Sequence, residues 1–311
     1  MKILFVSPSY WPAYQFGGPI QSLHLLNKAL NKNGAEITVY STNIGLENKV
    51  KSDREIIVEG INVKYFSYSR MFEFVGTTGW QFSLPLTKAL KENVVNYDLV
   101  YILSIWNYPT AIASYYCRKF GVPYVISPRG SLYEEVLKNS SLKKLLYYNL
   151  FSKRDIENAS AIHYTTLDEY QNCHYKLSTQ PKALIIPNGI SLDEFRNLPG
   201  KGEFISLYPH LKNKDIILFL GRLTWKKGLD LLIDSFSAYL KTNDNAHLVL
   251  AGNDENGYKN TLTNKLNRNN ISFIDLTMGN ETPNKSIDTH VTFTGFLDNG
   301  LKKKALVDSE I

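Results

Sequence analysis

The sequence predicts an α/β fold in two domains, and three observations carry the prediction. Short apolar runs of strand type alternate with longer segments of helical spacing, the pattern of parallel sheets with crossover helices. The chain has 311 residues, too many for one ordinary core and enough for two at roughly 100–200 residues each. It is 43% hydrophobic and 21% charged, a balance that supports a packed interior and excludes a mainly disordered or collagen-like chain.

In the first half, strands are expected at residues 2–6, 36–40, 61–66, 99–103, 124–126, 161–164 and 183–186, each bounded by turn residues. These suffice for one doubly wound sheet. Gly18-Pro19-Ile20-Gln21 opens a helix that closes at Gly34, with Pro in the first turn and Gly just past the end. After Ile186 the text changes to Pro187-Asn188-Gly189-Ile190 and then to a polar stretch through Pro199-Gly200-Lys201-Gly202. Residues 1–189 thus read as one domain, 190–214 as a linker and 215–311 as a second domain. There the text repeats: strand 215–220, helix 227–240, strand 247–251, helix 258–266 and strand 291–294, with residues 268–290 a polar surface loop. Three parallel strands with open edges make a poor independent sheet, so the second domain reads as incomplete.

Charge and cysteine usage narrow the function classes. Lys and Arg number 35 against 29 acids, a net charge of +6 that favours phosphates, nucleotides or an acidic membrane face. The basic residues are dispersed, without aromatic interleaving of an RNA-binding type, which argues against nucleic acid. Cys117 and Cys173 form no CxxC or CxxH pattern, so no disulfide framework or zinc site is signalled and a reducing cytoplasm fits. The first apolar run, Ile3 to Val6, is broken by Ser7-Pro8, and neither a signal peptide nor a membrane span is expected.

Two turns could hold an anion. In Leu220-Gly221-Arg222-Leu223-Thr224-Trp225-Lys226-Lys227-Gly228 a strand runs into a helix whose N-terminal N–H groups, with Arg222 and Lys227, would suit a phosphate or diphosphate. The alternative is two solvated surface cations. Gly17-Gly18, directly before the first helix, allows close backbone approach to a ligand at the carboxyl end of a strand, or is a plain turn. GxGxxG is absent there, which disfavours nicotinamide or flavin chemistry. Arg129 in Ser127-Pro128-Arg129-Gly130 binds an anionic or hydroxyl-rich acceptor, or forms a structural ion pair. His24 and His163 read as structural histidines without a partner carboxylate at a telling spacing, and Trp11, Tyr14 and Trp106 as buried aromatics or sugar-stacking ones.

Together the motifs resemble the retaining glycosyltransferases of the GT-B fold, the large group called family 4. The matching text is Lys2 to Val6 with Gly17-Gly18, Ser127-Pro128-Arg129-Gly130-Ser131-Leu132, Ile186-Pro187-Asn188-Gly189-Ile190, Gly221-Arg222-Leu223 to Lys227-Gly228, Ala251-Gly252, and Phe293-Thr294-Gly295-Phe296-Leu297. The resemblance implies two Rossmann-like domains, the second holding a nucleotide-diphosphate sugar and the first the acceptor. It implies that Arg222 and Lys227 neutralise the donor diphosphate, that Gly17 and Gly18 close over the phosphates, and that Gly252, Gly295, Phe296 and Leu297 form a base pocket. No cofactor or metal is expected, since no Asp-x-Asp motif stands in a suitable loop.

Two departures weigh on that expectation. In Leu103-Ser104-Ile105-Trp106-Asn107-Tyr108-Pro109, Leu103 stands where related sequences carry His, and Ser104 or Asn107 replace it only in part. The Glu-rich donor motif would fall beyond Ile311, so the chain reads as truncated. The functional expectation is a cytoplasmic glycosyltransferase for a surface polysaccharide or lipid-linked glycan, with a nucleotide-binding remnant of a split enzyme as the alternative. The stretch 140–154, from Ser140 to Arg154, sets Lys143, Lys144, Lys153 and Arg154 beside Leu142, Leu145, Leu146, Tyr147, Tyr148, Leu150 and Phe151. It packs on the first domain or lies on an anionic inner membrane face.

Overall fold

The computed structural model describes residues 1–69, 80–133, 146–173, 181–278 and 289–311. The chain divides into two compact α/β units, Met1–Ile190 and Ser191–Ile311.

The first unit is built on an eight-stranded sheet in the order β3-β4-β2-β1-β5-β6-β7-β8. The strands are β1 Lys2–Ser7, β2 Glu36–Thr42, β3 Glu55–Val58, β4 Ile61–Phe66, β5 Leu99–Leu103, β6 Tyr124–Ser127, β7 Ala161–Tyr164 and β8 Lys182–Ile185. All pair in parallel except the edge hairpin β3–β4. The sheet therefore has one strand more than the sequence pattern suggested. Glu55–Val58 alternates between exposed and half-buried positions at the sheet edge, and it lacks the apolar run by which the central strands announce themselves. Helices α1 (Gly18–Lys32), α2 (Leu84–Asn93) and α3 (Tyr108–Phe120) cover the sheet. Strand β1 shows why the central strands read as continuous apolar runs. Ile3 and Phe5 enter one core with Leu23 of α1, while Leu4 and Val6 enter another with Leu86 and Leu90 of α2 and Cys117 of α3.

The second unit carries a four-stranded parallel sheet in the order β11-β12-β10-β9, with β9 Asp215–Leu220, β10 Ala246–Ala251, β11 Phe273–Asp275 and β12 Val291–Gly295. Part of the expected loop 268–290 is thus β11, paired with β12. A three-residue strand flanked by polar text gives no periodicity to read. Residues 279–288 of that loop lie outside the described residues.

The stretch expected to be a linker folds as part of this unit. Asp308 accepts from Gly202 N, Phe204 N and Ile205 N at 2.5, 2.8 and 3.1 Å, capping the short helix Glu203–Leu207. Phe204 and Leu211 are fully buried against Ile216, Val249 and Ala251. The other face of the sheet packs on the helices Leu229–Leu240 and Tyr258–Arg268 through Ile233, Phe236, Leu262 and Leu266. Among the described residues no helix is long and apolar enough to cross a membrane.

Candidate functional site

In the second unit, the carboxyl ends of β9, β10, β11 and β12 converge on one cavity of about 280 Å³. It is lined by Leu223 after β9, Gly252, Asn253 and Asp254 after β10, Lys259, Thr277 after β11, and Thr294, Gly295 and Phe296 at the end of β12. This is the edge at which open parallel sheets bind ligands.

The loops are locked together by their backbones. Gly221 N donates to Ala251 O at 3.0 Å, Leu223 N to Asn253 O at 2.8 Å and Glu255 N to Leu223 O at 3.0 Å. A Cβ on Gly252 would stand 1.8 Å from Gly221 O, so only glycine permits this approach. Gly252 is therefore required by the packing of two loops as well as by any ligand.

Arg222 leaves β9 exposed at the rim of this edge, its Nη1 3.2 Å from Glu255 Oε1. Lys227, also exposed, closes the 3-10 turn Trp225–Lys227. Gly228, with φ +63°, then starts the helix Leu229–Leu240, so the α-helix begins two residues later than the expected Lys227. Neither Arg222 nor Lys227 is among the residues that line the cavity: Arg222 precedes the lining residue Leu223 in the chain, and Lys227 lies in the turn before the helix Leu229–Leu240, an N-terminus of the kind that favours an anion.

Of the expected base-pocket residues, Gly252, Gly295 and Phe296 line the cavity and Leu297 does not. Leu297 is buried with Ile216, Val249 and Ala305, because the chain turns inward after Phe296. Phe296 itself is 54% exposed.

Asn253, Lys259 and Thr277 escaped the sequence reading. Lys259 Nζ donates to Asp275 Oδ2 at 2.6 Å and to Thr277 Oγ1 at 2.7 Å, with both charged side chains mostly buried. Burial would raise the Asp275 carboxyl, but the bond from Lys259 and two more from Thr277 N and Oγ1 hold it below its ordinary range. Asn253 could have been found, since it directly follows Ala251-Gly252. The pairing of Lys259 with residues 16 and 18 positions away has no local signature.

The carboxyl edge of the first sheet has a different character. Gly17, with φ +85°, precedes the first residue of α1, Gly18. The loop before them is anchored by Trp11, whose Nε1 donates to Glu59 Oε1 at 3.0 Å. Glu59 also lies 3.3 Å from His24 Nε2, which supplies the carboxylate partner that sequence spacing did not show. Since a carboxylate only accepts, His24 Nε2–H donates and Nδ1, 2.9 Å from Tyr10 OH, accepts. Burial lowers the pKa of His24, and Glu59 opposes that shift.

Arg129 and Ser104 sit at the ends of adjacent strands with φ of +54° and +73°, left-handed conformations unusual for these residues. Asn107 is buried and its side chain caps α3, accepting from Thr110 N at 3.3 Å and donating to Ser104 Oγ at 3.4 Å. Among the described residues Arg129 makes neutral contacts, to Asn188 Oδ1 and to Tyr101 OH, where a structural ion pair was the alternative. The chain of bonds runs on through Tyr101 OH to His163 Nδ1, 2.6 Å, and His163 Nε2–H to Ile186 O, 2.8 Å. His163 is thereby satisfied, and burial lowers its pKa.

The stretch 140–154 is described from Leu146 onward, so Ser140, Lys143 and Lys144 lie outside the described residues. Leu146, Leu150 and Phe151 are exposed at 62%, 60% and 44%, while Tyr148 and Ser152 are buried. Among the described residues no group of three or more His, Cys, Asp or Glu side chains is placed to hold a metal ion.

Two α/β units with largely parallel sheets fit the GT-B class of fold, which the solved structures below share. The family model described as Glycosyltransferase Family 4 matches residues 16–194, more than half of the chain, and that described as Glycosyl transferases group 1 matches residues 203–285. The chain belongs to glycosyltransferase family 4.

Solved structures share the fold. Sucrose-phosphate synthase from Thermosynechococcus elongatus is 14% identical with a TM-score of 0.64, over 98% of this chain and 73% of that one. Anabaena HepE in complex with UDP and glucose is 19% identical with a TM-score of 0.58, over 98% and 72%. An E. coli trehalose-6-phosphate protein bound with UDP-2-fluoro glucose is 15% identical with a TM-score of 0.60, over 97% and 76%. No curated protein matches by sequence.

Proposed function

We propose that this chain takes part in retaining transfer of a sugar from a nucleotide-diphosphate donor to a glycan or lipid-linked acceptor of a surface polysaccharide, at the cytoplasmic face of a membrane. The observation that carries the reading is the placement of Arg222 directly before Leu223 in the wall of the 280 Å³ cavity, with Lys227 in the turn that leads into the helix Leu229–Leu240. Glycosyl transfer releases a nucleoside diphosphate on which negative charge grows, and cations with preorganised N–H groups stabilise that charge in the transition state. The cavity beside Leu223, with Gly252, Gly295 and Phe296 in its wall, would take the nucleoside. HepE and the E. coli protein, described with UDP or a UDP-sugar, support a nucleotide donor.

On the first unit, Gly17 and Gly18 would serve the donor phosphates, and Arg129 with Ser104 would meet the acceptor. Asn107, already spent on capping α3, is the weakest of these assignments. The exposed side chains Leu146, Leu150 and Phe151, followed by Lys153 and Arg154, would rest on anionic lipid.

Calorimetry with UDP, GDP and ADP tests the donor site. Replacing Arg222 and Lys227 together by Ala should abolish binding, at roughly 1.5–3 kcal/mol per charge-assisted hydrogen bond lost. Equal affinity in the double variant sinks the assignment. A radiolabelled-donor assay with a glycolipid extract then separates an active transferase from a subunit that binds the nucleotide without turning it over.

A further inference from the structure

Arg222, the cation on which the donor reading rests, is paired with a carboxylate in this structure. Glu255 arrives on the loop after β10, and two backbone bonds between that loop and Leu223 hold it beside Arg222. Only one of its oxygens is used. Oε1 lies 3.2 Å from Arg222 Nη1, and Oε2 is buried with no hydrogen-bond partner among the described residues.

Such a contact is easily displaced. A carboxylate oxygen removed from water without a donor carries a desolvation penalty. The pair itself is one-pronged, with side chains 42% and 25% exposed, the class of ion pair that holds weakly. A diphosphate offers Arg222 higher charge and several oxygens in the forked geometry that guanidinium prefers. The same ligand would bring its negative charge next to that of Glu255, so both effects separate Glu255 from Arg222 on binding.

We propose that Glu255 is a carboxylate gate on the donor site. It occupies Arg222 while the site is empty, gives it up to a diphosphate, and retakes it as the nucleoside diphosphate leaves. A singly charged anion would gain too little to displace it, so the gate also sets a lower limit on the charge the site accepts. This inference rests on the reading of Arg222 as the donor-diphosphate cation.

Calorimetric titration of the full chain with inorganic pyrophosphate and with UDP tests it, in the wild type and in Glu255→Gln, Glu255→Ala and Arg222→Ala. The gate predicts about fivefold tighter binding in Glu255→Gln, the fold-change equivalent to loss of one weak competing ion pair of about 1 kcal/mol. Glu255→Ala, which leaves Arg222 no acceptor at that position, must also bind more tightly than the wild type. If both variants bind equally or more weakly while Arg222→Ala weakens binding, Glu255 positions Arg222 or is idle; the gate is then overturned and the donor site stands. If Arg222→Ala binds like the wild type, or if neither probe binds any form, the donor reading fails and the gate with it.

Discussion

The two sheets expose equivalent edges, and those edges are finished differently. In the first unit most polar side chains at the carboxyl ends of the strands bond one another, although Arg129 Nε is buried without a hydrogen-bond partner among the described residues. Arg129 is bonded to Asn188 and Tyr101, His163 to Tyr101 and Ile186, and Glu169 accepts from Gly130 N, Thr165 N and Thr165 Oγ1. In the second unit Arg222 and Lys227 stay exposed, Glu255 is half satisfied and a cavity remains open beside them. Side chains that bond one another make a stable platform, whereas exposed cations near an open cavity are available to a ligand. The difference supports the proposal of a charged ligand at the second edge.

Two arginine–carboxylate pairs make the contrast quantitative. Arg118 and Asp155 in the first unit are 17% and 10% exposed, against 42% and 25% for Arg222 and Glu255. Burial pushes Asp155 up to about 6 despite the guanidinium beside it. Removing one partner of a buried pair strands the other charge, so Arg118→Met should cost about 3–5 kcal/mol in urea unfolding. The matching Arg222→Met should change stability by no more than about 0.5 kcal/mol. Equal losses would break the comparison.

Acid should distinguish the units next. His210 Nε2 and His247 Nε2 lie 2.9 and 2.8 Å from the single hydroxyl of Thr292, all three side chains being buried. That oxygen carries one proton, so it donates to one imidazole and accepts from the other. Burial holds both histidines neutral and lowers His247 to about 3. A depressed folded-state value means that the unfolded chain binds the proton first as pH falls. The stability contribution is complete above the ordinary histidine value near 6.5 and is lost on acidification, at about 1.4 kcal/mol per pH unit for His247. Hydrogen exchange at pH 4.5 should therefore show β10 and β12 losing protection before β1 and β5. Simultaneous loss in both units would show that the Thr292 site does not set the weaker response. Thr292→Val, which leaves both imidazoles without their hydroxyl, should lower stability at pH 7 by about 1–3 kcal/mol.

What the sequence disclosed, and what it hid, follows the range of the interactions. The central strands were legible because both faces are buried, as the division of Ile3, Leu4, Phe5 and Val6 between two cores shows. The turns that carry Gly17 and Arg222 were legible because strand, turn and helix follow one another along the chain. Strands β3 and β11 were hidden: an edge hairpin and a three-residue strand lack a strong apolar period. The partners of the charged groups were hidden for another reason. Glu59 reaches His24 from 35 residues away, and Asp308 caps Glu203–Leu207 from more than 100. Such pairs are chosen by tertiary approach, which leaves no local pattern. Leu297 shows the converse error, since a motif match extended the cavity wall one residue past the point where the chain turns into the core.

The smallest expected effect concerns the surface of the first unit formed by Leu146–Arg154, whose Ser152 Oγ donates to Ile105 O in the loop after β5. The backbone widens into a π-turn over Tyr148–Ser152, which turns Tyr148 and Ser152 inward and leaves Leu150 and Phe151 exposed with Leu146. Lys153 and Arg154 follow at once, Lys153 standing 4.0 Å from Glu157 in a weak i,i+4 pair. Three exposed apolar side chains beside two cations suit the boundary between acyl chains and anionic headgroups, where each Lys or Arg contributes about 1 kcal/mol. Co-sedimentation with phosphatidylserine vesicles should therefore weaken by about fivefold for each of Lys153→Gln and Arg154→Gln, the fold-change equivalent to about 1 kcal/mol. It should also fall as salt rises through about 0.15 M, where screening shortens to about 8 Å. Lys226→Gln and Lys227→Gln in the second unit remove the same charge from a turn beside the cavity and should leave vesicle binding unchanged. If those two weaken it equally, net charge alone draws the chain to lipid, and the exposed face at Leu146, Leu150 and Phe151 has no special part in it.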